Sequence, residues 1–169
     1  MLVEVVVWTL AVDQKNRVPV VILKDAAGER KLPIWIGPQE ASVIAMELAG
    51  RKFQRPLTHD LLKSVLKGLG TRVRRVEICD LLDNTFYAKI FLDHGGEILC
   101  IDARPSDSIA LALKAKARIY VEAKLFSSEL DNLLLETSEA ADASDEQRAE
   151  DLKEFIERLD PKDFGKFRF

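Results

Sequence analysis

Ser106–Ala117 carries apolar side chains on nearly every side of the helix that it forms, because Ile109-Ala110-Leu111-Ala112-Leu113 leaves it no polar face. Such a helix is stable only when other elements enclose it. The chain must therefore build layers around this segment, and its other periodicities show what it builds them from.

Leu2–Val12 alternates, with Val3, Val5 and Val7 on one side and Leu2, Val6, Trp8 and Leu10 on the other. Both sides are mostly apolar, so this is a strand covered on both faces. Short polar turns connect it to strands at Val18–Leu23 and Lys31–Ile36. Three strands so connected make an antiparallel meander. At Gly37-Pro38-Gln39-Glu40 the period changes, and Ala41, Ile44, Ala45 and Leu48 follow at helical spacing up to Gly50. Pro38 suits the first helical position, where its missing N–H costs nothing. Thr58 is expected to cap a second helix, His59–Leu69, with Leu61, Leu62, Val65, Leu66 and Leu69 as its buried stripe.

Further strands are expected at Arg72–Leu82, Thr85–Asp93 and Glu97–Ala103, then the apolar helix, then a short strand at Ile119–Val121. The pair Arg74-Arg75 interrupts its strand's alternation, which hints at a bulge. Another amphipathic helix is expected over Lys124–Leu135. Residues 136–145 form an acidic linker, and a last helix ends near Leu159 with Leu152, Phe155, Ile156 and Leu159 as its apolar stripe. The class is α+β: two antiparallel strand groups with interposed buried helices, as a domain over 1–135 and a tail over 136–169.

With 169 residues the chain fits one ordinary domain, and 47% hydrophobic against 31% charged residues excludes global disorder. Its longest apolar runs fall far short of the roughly 20 residues of a membrane span, so no membrane role is expected. Two cysteines, Cys79 and Cys100, are too few for a disulfide framework or a zinc site, and no leader pattern opens the chain. The expected location is the cytoplasm. Residues 136–169 hold 11 acidic and 6 basic residues, whereas the body is slightly basic. That asymmetry permits a nucleic-acid face without requiring one. No phosphate-binding P-loop, dinucleotide fingerprint, nucleophile elbow or metalloprotease helix is present.

Three junctions can carry chemistry. Asp102-Ala103-Arg104-Pro105-Ser106-Asp107 places two carboxylates and a guanidinium where a buried strand meets a buried helix. Asp102 and Asp107 can hold a divalent cation, and Arg104 a phosphate. The structural alternative is that Ser106 or Asp107 caps the helix while Arg104 pairs with Asp102. Arg55-Pro56-Leu57-Thr58-His59-Asp60 puts a histidine in a first helical turn, where it can move protons near neutral pH or simply stand exposed. Pro33–Glu40 repeats the strand-to-helix design, with Glu40 near the helix start and Glu47 two turns on along the same face. Arg72, Arg74 and Arg75, with Lys63 and Lys67, form either a phosphate-tracking patch or a solvated edge.

Leu32-Pro33-Ile34-Trp35-Ile36-Gly37, Arg55–Leu61 and Ile101–Ala112, in this order and with Thr85-Phe86-Tyr87-Ala88 between the last two, resemble the signatures of the bifunctional nuclease domain family. The resemblance spans roughly residues 1–135, and Asp160–Phe164 resembles a tail that some members carry. The family pattern has alanine where Ser108 stands here. The resemblance implies a compact α+β domain that self-associates, as a homodimer or larger homo-oligomer, with nuclease activity on DNA and RNA.

The sequence expectation is therefore a phosphodiester hydrolase. Asp102 and Asp107 hold Mg²⁺ or Mn²⁺, His59 or Glu40 moves a proton, and Arg104, Arg55, Ser106 and Thr58 contact nucleic acid. A non-catalytic anion-binding or regulatory module that self-associates is the alternative. A third reading is an oligomeric scaffold whose tail helix completes a neighbour's core.

Overall fold

The alternation of the N-terminal segment becomes β1 (Leu2–Val12) in a computed structural model that describes residues 1–13, 15–28, 30–126, 150, 153, 154 and 156–158. There follow β2 (Pro19–Asp25), β3 (Lys31–Trp35), α1 (Pro38–Leu48), α2 (Thr58–Gly68), β4 (Thr71–Leu82), β5 (Thr85–His94), β6 (Glu97–Ala103), α3 (Pro105–Ala115) and β7 (Arg118–Glu122). A 3-10 turn, Ala123–Leu125, follows β7. Of the expected helix over Lys124–Leu135 only residues 124–126 are described, and Lys124 and Leu125 sit in the 3-10 turn; the linker and most of the expected C-terminal helix lie outside the described residues. Ile156, from that expected helix, is half-buried and packs against the main core.

The strand groups do not remain separate. They form one seven-stranded sheet in the order β3-β2-β1-β7-β4-β5-β6. β7 is the join: it runs antiparallel to β1, Leu2 opposite Glu122, and parallel to β4, Ile78 opposite Val121. A parallel arrangement needs a long crossover, and α3 supplies it between β6 and β7. The short segment Ile119–Val121 gives no hint of two partners, because strand pairing is a long-range property. The bulge expected at Arg74-Arg75 is present as a register shift between Val73 and Arg75.

α3 is central, as its sequence requires. It packs over β4 and β5, and both α1 and α2 pack against it. Ile109 and Leu111 are fully buried in a cluster with Val76, Ile78 and Ile90 of the sheet and Ile44 of α1. Removing each of these two side chains from water contributes about 2 kcal/mol. Val20 and Ile22 of β2 point the other way and form a small second cluster with Ala11, Trp8 and Trp35.

α2 departs from its expected pattern. Leu66 packs on the core, but Leu61, Leu62, Val65 and Leu69 are between 41% and 63% exposed. The helical spacing is right and the burial is not. α2 leans on α3 and on β4, so its apolar stripe looks away from both.

Candidate functional site

α1 and α3 begin in the same way. An extended residue stands at the cap position of each helix, Gly37 at φ −71° and ψ 158°, Arg104 at φ −69° and ψ 147°. Proline follows at the first helical position, and an acidic residue stands at the third, Glu40 in α1 and Asp107 in α3. Neither helix has a side-chain cap bond. Ser106 and Asp107 are therefore not the caps that the sequence suggested. Pro105 takes the first helical position and moves the cap to Arg104, leaving the Asp107 carboxylate free to bond elsewhere.

In α2 the cap is Leu57, not Thr58, and Oδ2 of Asp60 accepts the Leu57 N–H at 3.0 Å. This is half of a capping box, with the acid reaching back over the helix start. It turns His59 toward α3. Nε2 of His59 lies 3.1 Å from Oδ1 of Asp107. The other Asp107 oxygen accepts from Nε of Arg104 at 2.6 Å, and Nη1 of Arg104 lies 2.9 Å from Oε1 of Glu40. A continuous chain of four charged or ionisable groups thus ties the first turns of α1, α2 and α3. The absence of a side chain at Gly37 lets the Glu40 carboxylate lie there, since a Cβ at Gly37 would collide with it.

The electrostatics follow from this geometry. Burial pushes the Asp107 carboxyl up, but the hydrogen bonds from Arg104 and His59 outweigh it and hold Asp107 below the usual carboxylate value. The hydrogen bond to Asp107, then its charge, raises the Arg104 guanidinium further. His59 is mostly buried and its Nδ1 is sealed from water without a hydrogen-bond partner, whereas Arg104 is two-thirds exposed at the rim.

A second cluster lies two turns along α3. The Lys114 ammonium, 8% exposed, reaches Oδ1 of Asp60 at 2.6 Å and Oε2 of Glu47 at 3.0 Å. Burial pulls Lys114 down, and the hydrogen bonds to the two carboxylates more than restore it, to above its ordinary value. Nζ of Lys63 closes the group by donating to the Lys114 carbonyl at 2.6 Å. Sequence reasoning missed this hub. The available signal was a lysine within a helix that is otherwise apolar.

The other candidates are not brought into the chain of four. Asp102 is exposed on β6, opposite Lys89 in the register. Ile101 shares the face of buried Ile90, so alternation turns Asp102 to the sheet side away from α3. Arg55 and Thr58 are exposed beside the start of α2, and Ser106 is buried in α3. Of the basic patch, Arg72 pairs with Asp93 and Arg75 with Glu77, and Arg75 also lies 4.0 Å over the Phe91 ring. Among the described residues no group of three or more His, Cys, Asp or Glu is placed to hold a metal ion, and no helix is long and apolar enough to cross a membrane.

The site residues lie inside a stretch with known relatives. An uncharacterized protein of Mycobacterium tuberculosis is 41% identical over 164 residues, covering 95% of this chain and 97% of its own. Bifunctional nuclease 1 of Arabidopsis thaliana is 27% identical over 115 residues, covering 66% of this chain and 35% of that protein. Bifunctional nuclease 1 of Oryza sativa subsp. indica is 24% identical over 109 residues, covering 63% and 33%. Residues 21–131 match the bifunctional nuclease domain, and they hold all of β3, α1, α2 and α3. The chain belongs to the bifunctional nuclease domain family.

Proposed function

We propose that this protein hydrolyses phosphodiester bonds of RNA, DNA or both, at the junction of the three helix N-termini. The observation that carries the proposal is the hydrogen-bonded chain His59–Asp107–Arg104–Glu40, assembled from three separate segments. Arg104 is the phosphate contact: it stands at the rim, and a guanidinium matches phosphate oxygens in a bidentate way. Asp107 fixes the His59 ring by accepting from Nε2, which leaves Nδ1 as the nitrogen for proton transfer. Nδ1 is covered, so substrate has to open the site before His59 can act. Glu40 holds Arg104 from the other side.

The residues do not fit a resident magnesium or manganese ion. Asp107 uses both oxygens on Arg104 and His59, Glu40 is paired with Arg104, and Asp102 faces elsewhere. The hydrolysis is therefore ascribed to the chain's own side chains. The two free thiols, Cys79 and Cys100, support a cytoplasmic location.

The covered Nδ1 favours a second reading, a non-catalytic module whose Arg104 holds an anion. One experiment separates the two. The purified protein is assayed on single-stranded RNA, single-stranded DNA and duplex DNA, with and without chelator, beside His59→Gln and Arg104→Gln. Nuclease function predicts a loss of about 10²-fold or more for His59→Gln and weaker substrate binding for Arg104→Gln. Activity that is untouched by both changes, or lost on cleaner purification, overturns the proposal. Anion binding without turnover establishes the second reading.

A further inference from the structure

Among the described helices α2 alone has no fully buried residue, and of its apolar side chains it is Leu66 that packs on the main core. Apolar burial therefore does little to set its position. What holds α2 against α3 is polar, at three points. Nε2 of His59 meets Oδ1 of Asp107, Oδ1 of Asp60 meets Nζ of Lys114, and Nζ of Lys63 donates to the Lys114 carbonyl. The last contact suits the end of α3, where the final carbonyls have no partner within the helix and attract a cation. Two of the three contacts thus converge on one lysine, two turns beyond Asp107 along α3. Asp60 links that lysine to the histidine. Its Oδ2 accepts the Leu57 N–H at 3.0 Å and fixes where α2 starts, while its Oδ1 meets the ammonium at 2.6 Å. A displaced Asp60 carries the first turn with it, and His59 is its neighbour in that turn.

We propose that Lys114 is a positioning residue for His59: through Asp60 it holds the first turn of α2 so that Nε2 of His59 keeps its place on Asp107. The consequence for turnover rests on the nuclease reading; the placement of the ring does not. A buried ammonium is a costly way to add stability, because desolvation offsets much of what its pairing contributes. What it supplies is direction, since a short charged hydrogen bond fixes its partner more closely than apolar contact does. Glu47 binds the same ammonium from α1, at 3.0 Å. It is the natural control, because losing it weakens the cluster without cutting the link from Lys114 to α2.

The ring proton of His59 tests this in the full chain. The Nε2–H on Asp107 belongs to a side chain that is 12% exposed, so it is expected as a resolved, slowly exchanging downfield resonance in proton–nitrogen NMR spectra. The chain has two histidines, and His94→Gln assigns the signal. Lys114→Met is expected to lose the resonance to exchange with water while the backbone amide spectrum of the sheet is kept. Asp60→Asn is expected to give the same loss, and decides the matter if Lys114→Met does not fold. Glu47→Gln is expected to keep the resonance. In a chain that cleaves RNA or DNA, kcat of Lys114→Met is expected to fall by about 10-fold or more, with KM changed far less. The proposal is overturned by a wild type that lacks the resonance, by its survival in folded Lys114→Met or in Asp60→Asn, or by its loss in Glu47→Gln as well. The expected pattern of resonances in a wild type without turnover removes the nuclease reading and leaves the positioning in place.

Discussion

Nε2 of His59 and Oδ1 of Asp107 lie 3.1 Å apart although 48 positions separate them along the chain. The contact exists because each residue occupies the first turn of its own helix and the two first turns meet. Asp107 is also held by Arg104, so its carboxylate accepts two charge-directed hydrogen bonds at once.

Asp107→Asn keeps the size of the side chain and removes its charge. Stability is expected to fall by about 1–2 kcal/mol, the usual worth of such bonds at a partly exposed site. Urea unfolding measures it. In a double-mutant cycle with His59→Gln, the two losses are expected to be less than additive, because both changes break one contact.

Lys114→Met leaves Glu47 and Asp60 facing each other without their shared cation. The cost is expected to be about 2 kcal/mol, below that of a fully buried pair because both carboxylates are one-third exposed. Lys114→Met combined with Glu47→Gln recovers part of the loss. Equilibrium denaturation of the single and double variants checks this.

The pH dependence has two limbs. Asp60 and Asp107 are held below their ordinary values, so their contributions are complete above the unfolded carboxylate value of about 4 and vanish as the pH falls through the folded values. Lys114 is raised, so its contribution is complete below the unfolded value of about 10.4 and is lost as the pH rises through the folded one. Melting temperatures are expected to be flat near neutrality and to drop on both sides. Lys114→Met is expected to remove most of the alkaline drop.

Gly37→Ala tests the hold on Glu40 with little backbone strain, since Gly37 already has a negative φ. The added methyl collides with the Glu40 carboxylate and moves it off its place. The expected outcome is a small change in stability with an altered response of Arg104 to phosphate, read by titration with a phosphodiester ligand. Lys116→Gly makes the opposite kind of change. Lys116 ends α3 at φ 54°, where glycine fits without penalty, and a gain of about 0.5–1 kcal/mol is expected in thermal unfolding.

The elements were largely legible because each depends on local periodicity. The run Ile109–Leu113 marks a central helix, and the alternation of Leu2–Val12 marks the strand β1. What escaped was pairing at a distance. The five residues of β7 do not reveal that they join β1 to β4. The α2 stripe has the spacing of a buried face, yet spacing does not say whether anything packs on it. At the site, His59, Asp107, Arg104 and Glu40 were candidates by residue type, and the fold gathers them. Asp102 sits close to Asp107 in sequence but is turned away by the two-residue period of its strand. Lys114 was missed because its partners come from two other helices.

The insertion of β7 between β1 and β4 has a consequence for synthesis on the ribosome. β1 pairs with residues 119–122, so its second flank stays unfilled until nearly three-quarters of the chain has been made and has cleared the exit tunnel. Until then the nascent meander exposes an apolar strand border. A slow translational step after residue 122 is expected to change the yield of folded protein.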